Sequence, residues 1–431
     1  MRVLIEPVDA NDGKKNVPLM SSSDRSIRWI GDCRTLGRIA QAVNSFLDTA
    51  ELPAQKSARI LIKPNLNNDL SALTGNSTDL RLLVSLISAL KARGYNNLTI
   101  ADGPNIGTYR KGLDVFERLG VKALARHLGV ELVDLNRAPS VEVRVATGSV
   151  HVARICLDAD FLIGVPKIKT HAEAGLSAAV KNLMGCVTGT DKWLMHADLP
   201  ANLVRLNEIL RPGLILVDGL FAMEGNGPGD GFPRRLDLLM AGIDAFCLDV
   251  FVARLVGLDW RNIPYLRLAH EQGLVGDAII HDAGHVEPIA HLVPAPPRGL
   301  LTRFLDSRCL KRVRDFTRPI HRWEIVRRIL HRLGIIQDVY QEADAQIDRL
   351  RLDQARCTRC GLCLEYCPVG LPILDHAFDF QKSPCVRCLY CVQVCPVDAI
   401  MIEGELGYLD RHFTRYGAQI RRAAQEGLKP V

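Results

Sequence analysis

Through the first 280 residues, short apolar runs rich in β-branched residues alternate with stretches of helical period, the pattern of strands covered by helices. Four runs read as strands, at 59–63, 97–101, 161–165 and 214–217. Between the first two, Leu83, Leu86, Ile87 and Leu90 form one helical stripe. Thr78 is placed to cap that helix and Gly94 to end it. A second helix starts at Asp244, runs through Val250, Ala253 and Leu255, and stops at Gly257. The expected class is α/β, a mainly parallel sheet with flanking helices.

The pattern changes at the proline-rich stretch 291–297. Beyond it, Trp323, Val326, Leu330 and Leu333 share one helical face, while Arg322, Arg328 and Arg332 lie off it, an amphipathic basic helix. A more acidic helical segment, 337–350, leads into a cysteine-rich stretch that reads as a small α+β domain, and the tail after Gly404 reads as a short basic helix. The expected organisation is an α/β domain at 1–290, a basic and helical linker at 291–350, the small domain at 351–402 and a helical tail at 403–431.

Composition narrows this picture. A chain of 431 residues with 48% hydrophobic content supports two or three packed domains. No run of eighteen apolar residues suggests a membrane span. Asp9, Asp12, Lys14 and Lys15 interrupt the first 29 residues, which lack the apolar core of a secretory signal. The expected location is cytoplasmic, where thiolates stay reduced. The net charge of +6 is concentrated at 298–332, leaving the rest slightly acidic. That distribution argues against nucleic acid as a partner. The basic segment reads first as a helix bridging two domains, then as a docking face for an acidic redox partner or as a peripheral membrane contact.

Eight of the thirteen cysteines form two copies of one pattern. Cys357, Cys360, Cys363 and Cys367 precede Pro368; Cys385, Cys388, Cys391 and Cys395 precede Pro396. Three thiolates within seven residues wrap three corners of an iron–sulfur cube, and the fourth, displaced by the proline turn, reaches the neighbouring cube. One [4Fe–4S] cluster would take Cys357, Cys360, Cys363 and Cys395, and the other Cys385, Cys388, Cys391 and Cys367. Zinc is the competing metal, but its ribbons use separated pairs rather than crowded triplets. Cys33, Cys156, Cys186, Cys247 and Cys309 are left over, without disulfide spacing.

A second constellation sits at the ends of the four strands: Lys63-Pro64-Asn65, Asp102-Gly103-Pro104, 166–171 with Lys167, Lys169 and His171, and Asp218-Gly219 followed by Glu224 and a glycine-rich loop. Ligands of open parallel sheets bind outside the carboxyl ends of the strands. Lys167, Lys169 and His171 alternate, so an extended backbone presents all three on one side. Opposite Asp102, Asp218 and Glu224 they describe a site for an anionic or metal-bridged small molecule. Each residue also has a plainer reading as turn or cap chemistry. His171, His196 and Glu224 offer an alternative metal site, and Cys186 reads as a small core residue.

Two resemblances follow from these residues. The segment 350–402 resembles bacterial-type ferredoxins with two [4Fe–4S] clusters, which implies a pseudo-symmetric βαβ pair. Residues 55–280 resemble the family catalogued as domain of unknown function 362, through Lys63-Pro64-Asn65, Asp102-Gly103-Pro104, 166–171, 179–186 and 223–228. Members of that family often carry such a ferredoxin module, and the resemblance implies one site at the strand ends without naming a substrate. The leading expectation is an iron–sulfur oxidoreductase or its electron-transfer subunit, served by a ferredoxin or flavoprotein partner. Its rival is a non-catalytic ligand-binding or assembly protein with structural or redox-sensing clusters. A third reading is cluster-independent ligation or isomerisation at Lys167, Lys169 and His171.

Overall fold

The computed structural model describes residues 27–296 and 341–426. The basic segment 298–332 and Cys309 lie outside the described residues, as does most of the N-terminal stretch 1–29. Nine strands form the main sheet of the described chain. They are β1 (Arg28–Ile30), β2 (Ile60–Pro64), β3 (Leu98–Asp102), β4 (Glu131–Asp134), β7 (Phe161–Val165), β8 (Lys167–His171), β9 (Gly175–Ser177), β10 (Leu214–Glu224) and β11 (Phe232–Gly242). A separate hairpin pairs β5 (Ser140–Val145) with β6 (Gly148–Ala153).

The main order is β1-β11-β10-β7-β2-β3-β4, with β8 and β9 branching beside β10. Pairing is parallel from β10 through β7, β2 and β3 to β4, while β11, β1 and β9 run antiparallel to their neighbours. This is the expected mainly parallel α/β sheet with an antiparallel edge. β2, whose five residues are all buried, reads as a continuous apolar strand because helices cover both faces. From β2 the chain proceeds outward to β3 and β4, then returns to place β7 on the other side of β2. The strand order therefore reverses between β2 and β7, which opens a crevice at their carboxyl ends.

The helix expected at 78–93 spans Leu80–Ala92, and its cap is Asp79 rather than Thr78. Thr78 is drawn into the sheet instead: its hydroxyl accepts from Asn65 N–H at 2.7 Å and donates to Val165 C=O at 2.8 Å. The helix Ala245–Leu255 is capped by Asp244 as expected. The strand expected at 214–217 runs on through eleven residues, because its second half pairs with both β8 and β11.

The expected helical linker requires correction over residues 346–350. They begin β12 (Gln346–Leu352), which pairs antiparallel with β13 (Ile400–Glu405). Buried Leu350 and half-buried Leu352 alternate with exposed Arg349 and Arg351, a strand period that the charges obscured. The small domain thus starts before residue 351. The tail forms an 18-residue helix, Tyr408–Gln425, with Leu409, His412, Tyr416 and Ile420 buried.

Leu362, Tyr366, Val386, Tyr390, Val394, Tyr416 and Ile420 belong to the same hydrophobic cluster as Leu66, Leu73, Leu80, Leu83 and Phe116. The cysteine-rich domain and its tail helix therefore share a core with the α/β domain.

Candidate functional site

Pro166 breaks the strand after β7, and the chain restarts as β8, which keeps the same register against β10 at Lys167 and shifts only between Asp218 and Met223. Lys167 and Lys169 follow this break. Lys167, 0% exposed, lies 3.0 and 3.1 Å from the two carboxylate oxygens of Asp218, also 0% exposed. From β2, Lys63 Nζ reaches Asp102 Oδ1 at 2.6 Å and Asn182 Oδ1 at 3.2 Å. Asp102 also accepts the N–H groups of Leu66 and Gly103. Asn65 donates to Asn182 and accepts from Lys169 Nζ at 2.7 Å, and Lys169 further donates to Asn76 C=O. Asp102, Lys63, Asn182, Asn65 and Lys169 are thus one continuous hydrogen-bonded chain along the strand ends.

Amino groups outnumber carboxylates along this edge. Asp102 and Asp218 match Lys63 and Lys167, but among the described residues Lys169, Lys181 and Lys192 have no carboxylate at ion-pair distance. Burial, then the neighbouring ammonium groups of Lys181 and Lys167, pushes the Lys169 ammonium well below the usual lysine range. Burial lowers Lys181 to about 8, and burial also lowers Lys192 to about 8. Lys181 Nζ lies 3.7 Å from the thioether of Met184, and the Glu173 carboxylate partly offsets the effect of burial on it. Lys192 donates to Asn136 and Val187 C=O. The loop carrying Cys186 lies directly on the edge: a Cβ on Gly185 would stand 2.3 Å from Asp102 Oδ1 and 2.7 Å from Lys63 Nζ. Only glycine lets the backbone approach a buried ion pair this closely.

Four of the six residues singled out by sequence, Asp102, Lys167, Lys169 and Asp218, meet at this edge. His171 and Glu224 lie further along β8 and β10 and secure the backbone. His171 Nδ1 accepts the N–H groups of Glu173 and Ala174 at 3.0 Å, and Glu224 accepts Val293 N–H at 3.0 Å. The alternative metal set does not assemble: His196 Nδ1 sits 2.8 Å from Glu173, and no three His, Cys, Asp or Glu among the described residues surround a single ion.

Sequence reasoning missed several members. Asp249 accepts from Ala179 N–H, Val180 N–H and Tyr265 O–H, orienting the segment that carries Asn182; burial raises its carboxyl to about 7. Asp79 donates its N–H to Asp218 Oδ2 at 2.7 Å, while its carboxylate, which burial alone would neutralise, is held below the ordinary range by Arg81 at 2.8 Å. The only sequence signal for Asp79 was its place at a helix start.

The eight cysteines occupy a framework that repeats in three dimensions. Arg359 and Arg387, Gly361 and Leu389, and Gly370 and Asp398 are pairs at one sequence offset, and all six have positive φ. In each copy a backbone N–H turns towards sulfur at equivalent places: Arg359 to Cys357 and Arg387 to Cys385, both 3.4 Å; Leu371 to Cys367 at 3.3 Å and Ala399 to Cys395 at 3.2 Å. Such N–H···S contacts orient thiolates and stabilise their charge. After burial, which raises its thiol to about 12, Cys363 is influenced by Cys360, Cys357 and Cys395. Burial likewise raises Cys391, whose strongest thiol neighbours are Cys388, Cys385 and Cys367. The fourth cysteine of each copy is therefore near the triplet of the other. Their donor set, thiols alone with backbone N–H groups turned towards them, fits an iron–sulfur cube.

The two constellations meet at the start of helix Leu80–Ala92. Leu80 N–H donates to Tyr390 O–H oxygen at 3.2 Å, and Tyr390 follows Cys388 by two residues. The Arg81 guanidinium stacks over Tyr366 at 4.3 Å. Gly120, at φ 75°, leaves room for Val386 C=O, which would lie 2.5 Å from any Cβ there. A small buried cleft of about 20 Å³ at this junction is lined by Asp69, Thr78, Arg118, Cys388, Tyr390 and His412, among others. Arg118 ties the junction to the returning chain through Asp69 and Asp344, both at 2.7 Å.

The family model described as "Domain of unknown function (DUF362)" matches residues 60–254. A second, described as "4Fe-4S dicluster domain", matches residues 349–396. A thylakoid-associated protein of Synechocystis sp. is 32% identical over 228 residues, which span 50% of this chain and 68% of that relative. The chain belongs to the family of domain of unknown function 362, and it carries a 4Fe–4S dicluster domain behind that domain. Two solved structures are similar at low level. A Thermotoga maritima protein shows 14% identity and a TM-score of 0.31 over 48% of this chain and 56% of that one. The lactate racemase apoprotein from Thermoanaerobacterium thermosaccharolyticum shows 11% and 0.32 over 46% and 51%. The chain thus spans about half the length of each, and neither bears on function. No helix among the described residues is long and apolar enough to cross a membrane.

Proposed function

We propose that this chain moves single electrons between an external redox partner and an anionic small molecule at the strand edge, on two [4Fe–4S] clusters. Cys357, Cys360, Cys363 and Cys395 would hold one cluster, and Cys385, Cys388, Cys391 and Cys367 the other. The observation that carries this reading is the junction. The loop of the second cysteine triplet rests on the start of helix Leu80–Ala92, and Asp79 there is one hydrogen bond from Asp218 and hence from Lys167.

The chain's own residues have distinct tasks in this reading. Lys169, Lys181 and Lys192, without a carboxylate at ion-pair distance among the described residues, would gain their charged form on pairing with an anion, while Lys63 and Lys167 are neutralised by Asp102 and Asp218 and set the geometry. In the loop after β2, Asn68 Nδ2 and Asn76 Oδ1 are buried without a hydrogen-bond partner. Buried polar atoms are rarely left unpaired, so this loop is where a ligand would complete the network. On the outer side, half-buried Cys357 and Cys385 are flanked by exposed Arg356, Arg359 and Arg387, which suits an acidic ferredoxin or flavoprotein.

Closure of the two buried ion pairs favours a second reading, a binding or assembly protein whose clusters act as staples or sensors. Anaerobic reductive titration, with iron and sulfide analysis, separates the two. Electron transfer at the edge predicts that inorganic phosphate or a small dicarboxylate perturbs the cluster spectrum, and that Lys169→Met removes the perturbation. A reconstituted protein holding zinc instead of iron would overturn the redox reading. Ligand binding without any spectral change or electron uptake would select the second.

A further inference from the structure

The helix Asp277–Gly284 supplies no residue to the strand edge or to the cysteine framework, yet it carries another pair of metal-ligating side chains. Ile279 and Ala283 turn its inner face into the core, while His281 and His285 lie on the outer face and are exposed. His285 closes the helix with right-handed backbone angles, so the two histidines keep the one-turn spacing at which side chains meet. Their ring centroids are 4.5 Å apart with the planes at 72°, and the two Nε2 atoms approach to 3.3 Å. Arg254 anchors this turn from the helix Ala245–Leu255, donating to Val286 C=O at 2.6 Å and to Gly284 C=O at 3.2 Å.

Two imidazole nitrogens at this separation are set as a chelate. With zinc–nitrogen bonds of about 2.1 Å, atoms 3.3 Å apart subtend roughly 105° at the metal, close to the tetrahedral angle. The Asp282 carboxylate stands 3.7 Å from Nδ1 of His281, the ring nitrogen that does not meet His285, and its other oxygen is buried without a hydrogen-bond partner. A carboxylate there favours the proton on Nδ1 and leaves the Nε2 lone pair for a metal. Without metal, His285 Nε2–H donates to His281 Nε2; a metal replaces that bond once the His285 proton moves to its own Nδ1.

We propose that His281 and His285 form a surface site for a divalent ion of the zinc class, separate from the cysteine framework. Imidazole nitrogen suits zinc, nickel and copper rather than magnesium or calcium. No group of three His, Cys, Asp or Glu among the described residues completes a closed set, so two positions stay with water. Structural zinc is closed by four protein ligands. A site with two fills and empties with the zinc around it, and the bound ion clamps the last turn of the helix.

The test is histidine footprinting on the untagged full chain with its metals in place. Diethyl pyrocarbonate labels accessible imidazoles, and peptide mass spectrometry reads each site. His281 and His285 should label readily in zinc-free buffer and about tenfold more slowly with zinc, whereas exposed His127 should react equally in both. Equal labelling of the pair with and without millimolar zinc would overturn the proposal. In calorimetric titration, His281→Ala and His285→Ala should each lose one zinc equivalent, and Asp282→Asn should weaken it about tenfold. Both histidines are exposed, so the variants should fold. Zinc uptake unchanged in both alanine variants also overturns the site, because it would put the ion on the cysteines. Neither readout depends on iron, so the outcome is independent of the electron-transfer reading.

Discussion

The strand edge and the cysteine-rich domain solve opposite problems. At the edge, charges from β2, β3, β8 and β10 are far apart in sequence and meet only after the sheet has formed, and each is then held by another. In the cysteine-rich domain, the ligands of each triplet are three residues apart, and the same left-handed backbone positions recur in both copies. A locally written site tolerates loss of one member better than an interlocked one. That difference can be measured.

The largest effect should come from Cys391→Ala. If the chain holds the two proposed clusters and the cysteine sets act separately, iron content falls from about eight to about four atoms per chain while the other cluster keeps its spectrum. Complete loss of iron, by quantitative metal analysis, would erase the contrast drawn here. Next in size is Asp218→Ala, which leaves Lys167 buried without its partner and should cost about 3–5 kcal/mol. Denaturant unfolding measures it. The paired change Asp218→Leu with Lys167→Met should recover most of the loss, as expected when the penalty is an orphaned charge.

The third prediction concerns the seam between the two regions. His412 is buried against Gln393 Oε1 at 3.0 Å, and burial lowers its ring from the ordinary 6.5 to about 4. Between pH 6.5 and 4 the unfolded chain takes up a proton that the folded chain refuses. Stability therefore falls as pH drops through this window, by roughly 3 kcal/mol from this group once below 4, and is unaffected by it above 6.5. His412→Gln should flatten that part of the stability–pH curve. The smallest effect belongs to Tyr390→Phe, which removes the hydroxyl that accepts Leu80 N–H and should cost about 1 kcal/mol. An accompanying change in cluster midpoint potential, read by redox titration, would show that the seam couples the regions electrically as well as mechanically.

The contrast also explains what the sequence disclosed. Cysteine spacing is a local quantity, so the dicluster domain was legible before any fold was known. The strands were legible too, since β7 is a uniform apolar run and β2 is one up to Lys63. Their polar ends could be nominated, and Asp102, Lys167, Lys169 and Asp218 do converge. His171 and Glu224 have the same chemistry, but they lie beyond the crevice, because β8 and β10 extend past it as a ladder. Asp79 and Asp249 were invisible, since each acts through a partner far away in sequence or through a backbone N–H whose position only tertiary structure sets; Asn182 lay in the segment 179–186 without a role of its own until the fold set it between Lys63 and Asn65. Residues 346–350 were misjudged as helix because charged side chains on an edge strand hide its alternation.

The core shared by Leu80, Leu83, Tyr366, Tyr390 and Ile420 has one more implication. Many electron carriers work as pendulums, a cofactor domain on a tether visiting donor and acceptor in turn. A seam filled with interdigitated side chains forbids that motion. In the proposed reading, the gap an electron would cross is set when the chain folds, and a redox partner would have to travel to the protein rather than be reached by it.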